Sequence, residues 1–223
     1  MNNDLTVIYY TNNKESPQFQ KRMQKTLART IRGLPLISVS QKPMDFGENI
    51  CVGDVGISGH NTWRQFQIGV EKAKTKFVCP AEADYLYPRE YFEFIPPSED
   101  SIYIALPLFV LFAQNGGANV FAPKAEGSEA AMIGARDHML RILELMFSKR
   151  VHNTGDFWSP DIKHNLPYLF KQGKCEYFTM KSPLVTFKTD NNMHRKTRTS
   201  YRLRTEELEP WGSALRLVRK YCK

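Results

Sequence analysis

The stretch FVCPAEAD, residues 77–84, decides the fold prediction, because a short apolar run ends there in two carboxylates spaced one residue apart. The apolar part predicts a buried strand, and ligands of an open α/β sheet gather just beyond the carboxyl ends of its strands. Side chains alternate along a strand, so Glu82 and Asp84 are expected on the same side. Such a pair suits a hard divalent cation, Mg²⁺ or Mn²⁺, which takes oxygen ligands and often shares them with phosphates. The alternative is that Asp84 only caps a helix beginning near Pro88.

The sequence around this strand alternates strand and helix patterns. Residues 5–10 predict a first strand and residues 36–40 a second one. Between them a helix is expected to begin at Pro17, with an apolar face that repeats every four positions: Phe19, Met23, Leu27 and Ile31. A second helix, capped by Asn61, precedes the strand at 77–81. This β-α-β-α-β order predicts an α/β fold with a mostly parallel central sheet flanked by helices.

The second half of the sequence has a less regular pattern. Residues 102–106 and 119–122 predict two strands of a hairpin around the Asn-Gly-Gly turn at 115–117. Ser128 is expected to cap a long helix that runs to about Lys149. The remaining predicted elements are strands at 176–178 and 184–188 and a final helix at 211–221.

Length and composition predict one folded domain over residues 1–223. A hydrophobic fraction of 42% argues against disorder, and no apolar run approaches the length of a membrane span. The cysteines are scattered without a CxxC pair, which disfavours a zinc cluster and a disulfide framework and favours a reducing cytoplasm. They are Cys51, Cys79, Cys175 and Cys222.

The net charge of +8 is concentrated towards the C-terminus. After Asn191 there are nine Lys or Arg residues and three Glu residues. Such a surface suits a polyanionic partner, either nucleic acid or a diphosphate. The alternative is a solvated basic surface that serves only solubility.

Several of these stretches resemble GT-A glycosyltransferases. Glu82-Ala83-Asp84 resembles their Asp-X-Asp motif, with Glu in the first place. Residues 63–73 resemble the helix that precedes this strand in a group of small phage and bacterial GT-A-like proteins. Further matching stretches follow in the order typical of that group: residues 128–140 with Arg136, then His194, then residues 207–214. The resemblance spans most of the chain and implies a GT-A-like, Rossmann-like fold.

The resemblance also implies a metal-dependent transferase that takes a sugar from a nucleotide-sugar, expected to be a UDP-sugar. Asp84 and His194 would be metal ligands, with Glu82 beside the donor. Residues 1–125 would form the half that binds the donor nucleotide and the metal. Residues 126–223 would form the acceptor half, with the basic C-terminal segment.

Two groups of polar residues are candidates for donor binding. Thr11, Asn12 and Asn13 follow the first strand, where a sheet of this type receives a nucleotide, although an ordinary polar turn has the same sequence. Arg64 and Gln67 lie three positions apart and therefore share a helix face. The resemblance assigns them to the donor pocket, and the alternative is a solvent-facing polar stripe.

The second candidate metal ligand is His194, which follows the predicted strand at 184–188. In many GT-A enzymes a late histidine completes the metal shell, and imidazole suits Mn²⁺ better than Mg²⁺. Arg195 and Lys196 beside it would hold diphosphate oxygens. The alternative is a basic loop histidine without a ligand role.

A general base is required if the enzyme inverts the anomeric centre, because the acceptor hydroxyl must lose its proton. Glu126 and Glu129 lie near the start of the predicted Ser128 helix, where GT-A folds place that base. A capping carboxylate has the same sequence signature, and the sequence leaves inversion and retention open.

The favoured acceptor comes from a resemblance to phage enzymes that glycosylate hydroxymethylated pyrimidines in double-stranded DNA. A base in a duplex must be flipped out to be reached, and basic residues would hold the phosphates. One alternative is transfer to a glycan, a protein or a small molecule. Another is a non-enzymatic nucleic-acid-binding protein, which the acidic pair and the lack of a recognised DNA- or RNA-binding motif disfavour.

Overall fold

The computed structural model describes residues 4–113, 119–124, 127–148, 174–192 and 203–223. The strands are β1 Leu5–Thr11, β2 Leu36–Ser40, β3 Glu48–Cys51, β4 Phe77–Glu82, β5 Tyr85–Leu86, β6 Ile102–Phe112, β7 Phe121–Pro123, β8 Met132–Ala135, β9 Cys175–Lys188, β10 Glu207–Leu208 and β11 Gly212–Ser213. The helices are α1 Pro17–Ile31, α2 Gly59–Lys72, α3 Arg89–Glu93, α4 Arg136–Ser148 and α5 Ala214–Tyr221, with a 3₁₀ turn at Glu129–Ala131.

In the described part of the chain, nine strands form one sheet in the order β3-β2-β1-β4-β8-β6-β9-β5, with β7 paired to β6. The first four strands are parallel to one another, and β6 is parallel to β9. Strand β8 joins the two parallel groups in antiparallel pairing. The predicted α/β class with a central sheet flanked by helices is confirmed. Because Tyr10 pairs with Glu82, strands β1 and β4 end at the same edge of the sheet.

The core lies on both faces of this sheet, and β1 shows why. Val7 and Tyr9 belong to the apolar cluster that includes Leu27 of α1. Ile8 and Tyr10 point to the other face, where they join the cluster that includes residues of α2 and α4. Alternation along a strand buried on both sides therefore requires a nearly continuous apolar sequence, as residues 5–10 have.

Helix α1 begins at Pro17, as predicted. The Ser16 hydroxyl accepts a hydrogen bond from the Phe19 N–H at 3.3 Å, and Pro17 occupies the first turn. The predicted apolar face is buried. The helix ends at Arg32, which adopts a left-handed conformation, with Gly33 following at φ +81°.

Helix α2 begins earlier than predicted. Its N-cap is Ser58, whose hydroxyl accepts a hydrogen bond from the Asn61 N–H at 3.1 Å. Asn61 is therefore inside the first turn, and the prediction that it caps the helix is wrong. Its side chain instead donates to the Gly56 carbonyl at 3.2 Å, which fixes the loop before the helix.

The long helix predicted from Ser128 to Lys149 is also wrong. Ser128 caps only the 3₁₀ turn, and the chain then forms β8 before α4 begins at Arg136. All four residues of β8 are buried between β4 and β6. Strand pairing on both sides of this segment outweighs its local helix propensity. Such pairing leaves no periodic signal in the sequence, so the helix was predicted instead.

Other boundaries also differ. The two strands predicted at 176–178 and 184–188 are one strand, β9, whose pairing with β6 shifts register between Leu106 and Leu108. Strands β6 and β7 pair antiparallel, as the hairpin prediction required, and its turn at 115–117 lies outside the described residues. Strand β3 was not predicted, and the last helix begins at Ala214 rather than at residue 211.

Within the described ranges, no helix has the length and apolar character needed to cross a membrane. The four cysteines are free thiols, and Cys79 is the buried one. Burial raises the pKa of the Cys79 thiol in β4 and the pKa of Cys175 in β9, which keeps both thiols protonated.

Candidate active site

The two carboxylates of residues 77–84 lie where β4 ends. Glu82 is the last residue of β4, and Asp84 lies in the turn that leads to β5. Both side chains are partly buried. The Phe187 N–H of β9 donates to the Asp84 carbonyl at 2.8 Å, which fastens this turn to the neighbouring part of the sheet. Helix α3 begins only at Arg89 and has no side-chain cap, so the alternative role of Asp84 as a helix cap is excluded.

Each carboxylate is oriented by a neutral donor from another element. The Tyr10 hydroxyl donates to Glu82 Oε1 at 2.9 Å, across the β1–β4 pair. The Asn192 side-chain amide donates to Asp84 Oδ2 at 2.8 Å and to the Phe187 carbonyl at 3.0 Å. Three segments far apart in sequence therefore fix the position of the acidic pair.

The electrostatic environment of the pair favours a cation. The pKa of Glu82 is raised to about 7, mainly by burial and then by the charges of Asp84 and Glu129, against the lowering effects of Tyr10 and Lys188. Burial likewise raises the pKa of Asp84, opposed mainly by Lys188. A positive charge placed between the two carboxylates would relieve both effects.

A third carboxylate lies beside this pair. Glu15, just before α1, accepts a hydrogen bond from the Thr189 hydroxyl at 2.8 Å. Burial raises the pKa of Glu15, and the charge of Asp84 raises it further. With Glu129, whose charge acts on Glu82, four carboxylates from three parts of the chain lie at this edge of the sheet.

The acidic pair offers part of the ligand set of a divalent metal. Among the described residues, no three His, Cys, Asp or Glu side chains come close enough together to hold a metal ion. Glu82 and Asp84 supply two oxygen donors of the type that Mg²⁺ and Mn²⁺ prefer. The Thr186 hydroxyl lies beside Asp84 and lowers the pKa of that carboxylate. The two carboxylates therefore fit a hydrated cation only, with the remaining ligands supplied by water or substrate oxygens.

Part of the polar turn after β1 forms hydrogen bonds that stabilise the fold. The Asn13 side-chain oxygen accepts from the N–H groups of Gln41 and Lys42, both at 2.9 Å. Asn12 is exposed and accepts from the Lys14 N–H at 3.0 Å. Thr11 is buried at the end of β1. Of the three candidates for donor binding, Asn12 is the most accessible.

Arg64 and Gln67 share a helix face, as predicted. Arg64 donates to Gln67 Oε1 at 2.6 Å, and its guanidinium lies 5.8 Å from the centre of the Phe147 ring on α4. This contact directs Arg64 towards α4. Gln65, which was not singled out in the sequence, is the residue of α2 that reaches the end of β1, where it donates to the Thr11 and Val39 carbonyls at 3.0 Å.

Four candidates lie outside the described residues: Glu126, His194, Arg195 and Lys196. Glu129 is described, and it lies on the 3₁₀ turn instead of at the start of a long helix. Its charge acts on Glu82, so it belongs to the same cluster of carboxylates.

Sequence reasoning did not assign roles to Tyr10, Glu15, Lys188 and Asn192, which the structure places around the acidic pair. Tyr10 and Lys188 lie at the ends of predicted strands, so their position at the sheet edge was a usable signal. No signal in the sequence connected Glu15 or Asn192 to Asp84, because these contacts join residues from distant parts of the chain.

No protein-family model and no curated protein matches this sequence. Solved structures with a similar fold include the inositol-1-phosphate CTP transferase from T. maritima, with a TM-score of 0.56, 9% identity and coverage of 86% of this chain and 92% of that chain. A putative glucose-1-phosphate thymidylyltransferase from Bacillus anthracis has a TM-score of 0.51 and 11% identity, covering 82% of this chain and 89% of that chain. A glycosyltransferase involved in glycosylation of the major capsid of PBCV-1 has a TM-score of 0.49 and 10% identity, covering 79% and 81%. At these identities the similarity shows the fold alone, and it agrees with the predicted α/β fold built on a mostly parallel central sheet.

Proposed function

We propose that this protein is a glycosyltransferase that moves a sugar from a nucleotide-sugar, a UDP-sugar, to an acceptor hydroxyl. The observation that carries the proposal is the acidic pair at the carboxyl edge of β1 and β4, held by Tyr10 and Asn192. Ligands of this type of sheet bind at that edge. Because the pKa values of Glu82 and Asp84 are raised, a bound cation would stabilise their ionised forms.

In the proposed reaction, the bond from the anomeric carbon of the sugar to the diphosphate oxygen breaks. The acceptor oxygen forms the new bond to that carbon, and the nucleoside diphosphate leaves with the electron pair. Mn²⁺ or Mg²⁺, held by Asp84 with His194 and next to Glu82, would supply Lewis acidity at the diphosphate when bound. The diphosphate oxygens would be bound by Lys188, whose charge acts on both carboxylates. The proposed contacts Arg195 and Lys196 would bind them as well.

Among the residues that the structure describes, Glu129 is the candidate general base that would remove the acceptor proton. Glu129 is partly buried and close enough to Glu82 for its charge to raise the pKa of that residue. In an inverting reaction Glu129, or the proposed Glu126, would take the proton from the acceptor hydroxyl. The turn after β1 is proposed to lie beside the nucleoside through Thr11, Asn12 and Asn13. Arg64 and Gln67 of α2 remain proposed contacts of the donor.

Product analysis tests this proposal. The protein is incubated with UDP-sugars and Mn²⁺ or Mg²⁺, and the nucleotide products are separated by chromatography. Release of UDP with transfer or hydrolysis of the sugar supports a glycosyltransferase. Formation of pyrophosphate from a nucleoside triphosphate and a sugar phosphate, with no release of UDP from any UDP-sugar, would instead identify a nucleotidyltransferase and contradict the proposal.

The proposed acceptor is a hydroxymethylated pyrimidine in double-stranded DNA. The described residues support it with two basic helix faces that carry no acidic residue. On α1 the outward residues are Lys21, Lys25 and Arg29, and on α5 they are Arg216, Arg219 and Lys220. A duplex phosphate backbone is a suitable partner for such faces.

Acceptor specificity is tested with matched substrates at saturating UDP-sugar. Transfer to a duplex containing hydroxymethylcytosine, but not to the same duplex with cytosine, supports the DNA acceptor. Transfer to a glycan, a protein or a small hydroxyl compound, with none to DNA, supports a glycosyltransferase with a different acceptor. Binding of DNA without turnover of any UDP-sugar would indicate a nucleic-acid-binding protein that is not an enzyme.

A further inference from the structure

We propose that a cleft between the end of α1 and helix α3 is a second ligand site, which binds the phosphate group of a nucleotide. The cleft has a volume of about 390 Å³, within the range of small-molecule sites. Arg29 and Arg32 line it from α1, and Arg89 lines it from α3. Arginine is the side chain best suited to phosphate, because its planar fork donates two parallel hydrogen bonds.

Two of the three guanidinium groups are available for a ligand. Arg89 pairs with Glu93 on its own helix. Arg29 and Arg32 are exposed, and among the described residues neither forms an ion pair with a carboxylate. Two adjacent unpaired positive charges repel each other, so an anion between them is favoured electrostatically.

One carboxylate also lines the cleft, and its hydrogen-bonding capacity is already used. Glu90 accepts from the Lys181 N–H at 2.8 Å, from the Ser182 N–H at 3.2 Å and from the Ser182 hydroxyl at 2.6 Å. These donors hold Glu90 against β9. The carboxylate therefore has little capacity left to pair with the arginines of α1.

An aromatic side chain that could stack on a nucleobase also lines the cleft. Trp211 lines it and is half-buried, and its indole N–H donates to the Pro183 carbonyl at 2.7 Å. This bond fixes the ring in position. A base that stacks on a fixed aromatic ring gains binding energy without a new conformational cost. Arginines beside a fixed indole therefore favour a nucleotide over a bare anion.

This site is separate from the acidic edge. Helix α1 begins next to Glu15, whose carboxylate interacts with Asp84. Arg29 is twelve residues beyond Pro17, which corresponds to roughly 18 Å along a helix. Of the residues that line the cleft, Tyr87 reaches the acidic edge, because its hydroxyl accepts a hydrogen bond from the Glu82 N–H at 2.9 Å. The cleft contains none of the residues proposed to bind the metal or the donor, and it shares Arg29 with the proposed DNA-binding face.

Titration with AMP in the presence of EDTA tests the site, with Trp211 fluorescence as the signal. Trp211→Phe assigns the signal, because the chain has three tryptophans. The variant Arg29→Gln/Arg32→Gln should bind AMP about tenfold more weakly or worse, whereas Lys72→Gln/Lys74→Gln should stay within about twofold. The second variant is the matched control, since it removes the same amount of charge from exposed residues outside the cleft. Asp84→Asn should bind AMP like the unaltered protein.

Each other outcome overturns the proposal. Equal weakening in both double variants would mean diffuse attraction to a basic surface. Loss of binding in Asp84→Asn would place AMP in the acidic site, and the absence of saturable binding would remove the site altogether. A short oligodeoxyadenylate distinguishes the source of the phosphate. Tighter binding than AMP, with the Arg29 and Arg32 variant again the more affected, would assign the site to a nucleic acid strand instead of a free nucleotide.

Discussion

The central feature at the scale of single residues is a carboxylate pair that the protein keeps oriented but not neutralised. Tyr10 and Asn192 each contribute a neutral donor, and Lys188 opposes the negative charge from a distance. If a lysine or arginine formed a buried ion pair with these carboxylates, it would compensate their negative charge, and no uncompensated charge would remain to bind a ligand. The pair instead remains costly to ionise, and a bound cation would remove that cost.

The first prediction concerns Asp84→Asn. We expect it to abolish metal-dependent binding of UDP and to lower glycosyl transfer about a hundredfold or more, because the amide cannot supply the negative charge. Thermal shift with UDP, with and without Mn²⁺, measures the binding, since a ligand of the folded state raises the melting temperature. Asp190→Asn is the matched control, an exposed Asp in the adjacent turn. A metal-dependent shift of normal size in Asp84→Asn would remove the basis of the proposed site.

The second prediction concerns the pH dependence of stability. The pKa of Glu82 is raised from 4.5 to about 7, so between these values the folded state holds a proton that the unfolded state has lost. The free energy of unfolding should therefore fall as pH rises through this window, by at most about 3 kcal/mol from this residue. Glu82→Gln should show a smaller difference between about pH 5 and about pH 8 in urea denaturation with EDTA. An unchanged difference would show that Glu82 ionises normally.

At the scale of elements, helix α2 is what fixes the end of β1. Gln65 bonds the carbonyls at the ends of β1 and β2. One turn later, Gly69 lies against Ile8, and a Cβ at position 69 would come within 2.3 Å of Ile8 Cγ2. Glycine thus allows α2 to approach the strand that carries Tyr10 and leads into the polar turn.

The third prediction follows from this close approach. Gly69→Ala should lower the free energy of unfolding by about 1–3 kcal/mol, because the added methyl group overpacks a branched core side chain. Urea denaturation measures this loss. In an Ile8→Ala background the same change should cost much less, since the clashing atom is gone. Equal costs in both backgrounds would assign the effect to some other contact of position 69.

At the scale of the whole molecule, charge is segregated. The four carboxylates gather at the edge of the sheet where β1 and β4 end, whereas α1 and α5 present outward faces with basic residues and no acidic ones. The two helices contact each other through Arg22, which donates to the Tyr221 carbonyl at 3.3 Å. Within the described part of the chain, this contact therefore brings the basic residues of α1 and α5 together.

The fourth prediction concerns salt. If duplex DNA binds the α1 and α5 faces, the logarithm of its affinity should fall linearly with the logarithm of salt concentration, with a slope of about −0.9 for each phosphate contact. Lys21→Gln/Lys25→Gln should reduce that slope by about 2 in fluorescence anisotropy titrations. Lys72→Gln/Lys74→Gln removes equal charge elsewhere and should change the slope little. A salt-independent affinity would exclude phosphate contacts as the source of binding.

The sequence predicted what depends on local pattern. The four-residue repeat of α1, its start at Pro17 and the apolar strand before Glu82 were sufficient to place these elements, because each is stabilised mainly by contacts whose period is visible along the chain. The same pattern placed Glu82 and Asp84 at the end of a strand. It failed for residues 132–135, where two neighbouring strands decide the conformation.

By itself, therefore, the sequence determined the α/β class and the edge of the sheet at which chemistry is expected. Only the tertiary structure decided which side chains surround the acidic pair. Glu15 and Asn192 are far from Asp84 along the chain, and their contacts exist because the order of the strands brings α1 and the end of β9 to the same edge. Strand order depends on long-range pairing energies, which no local repeat in the sequence records.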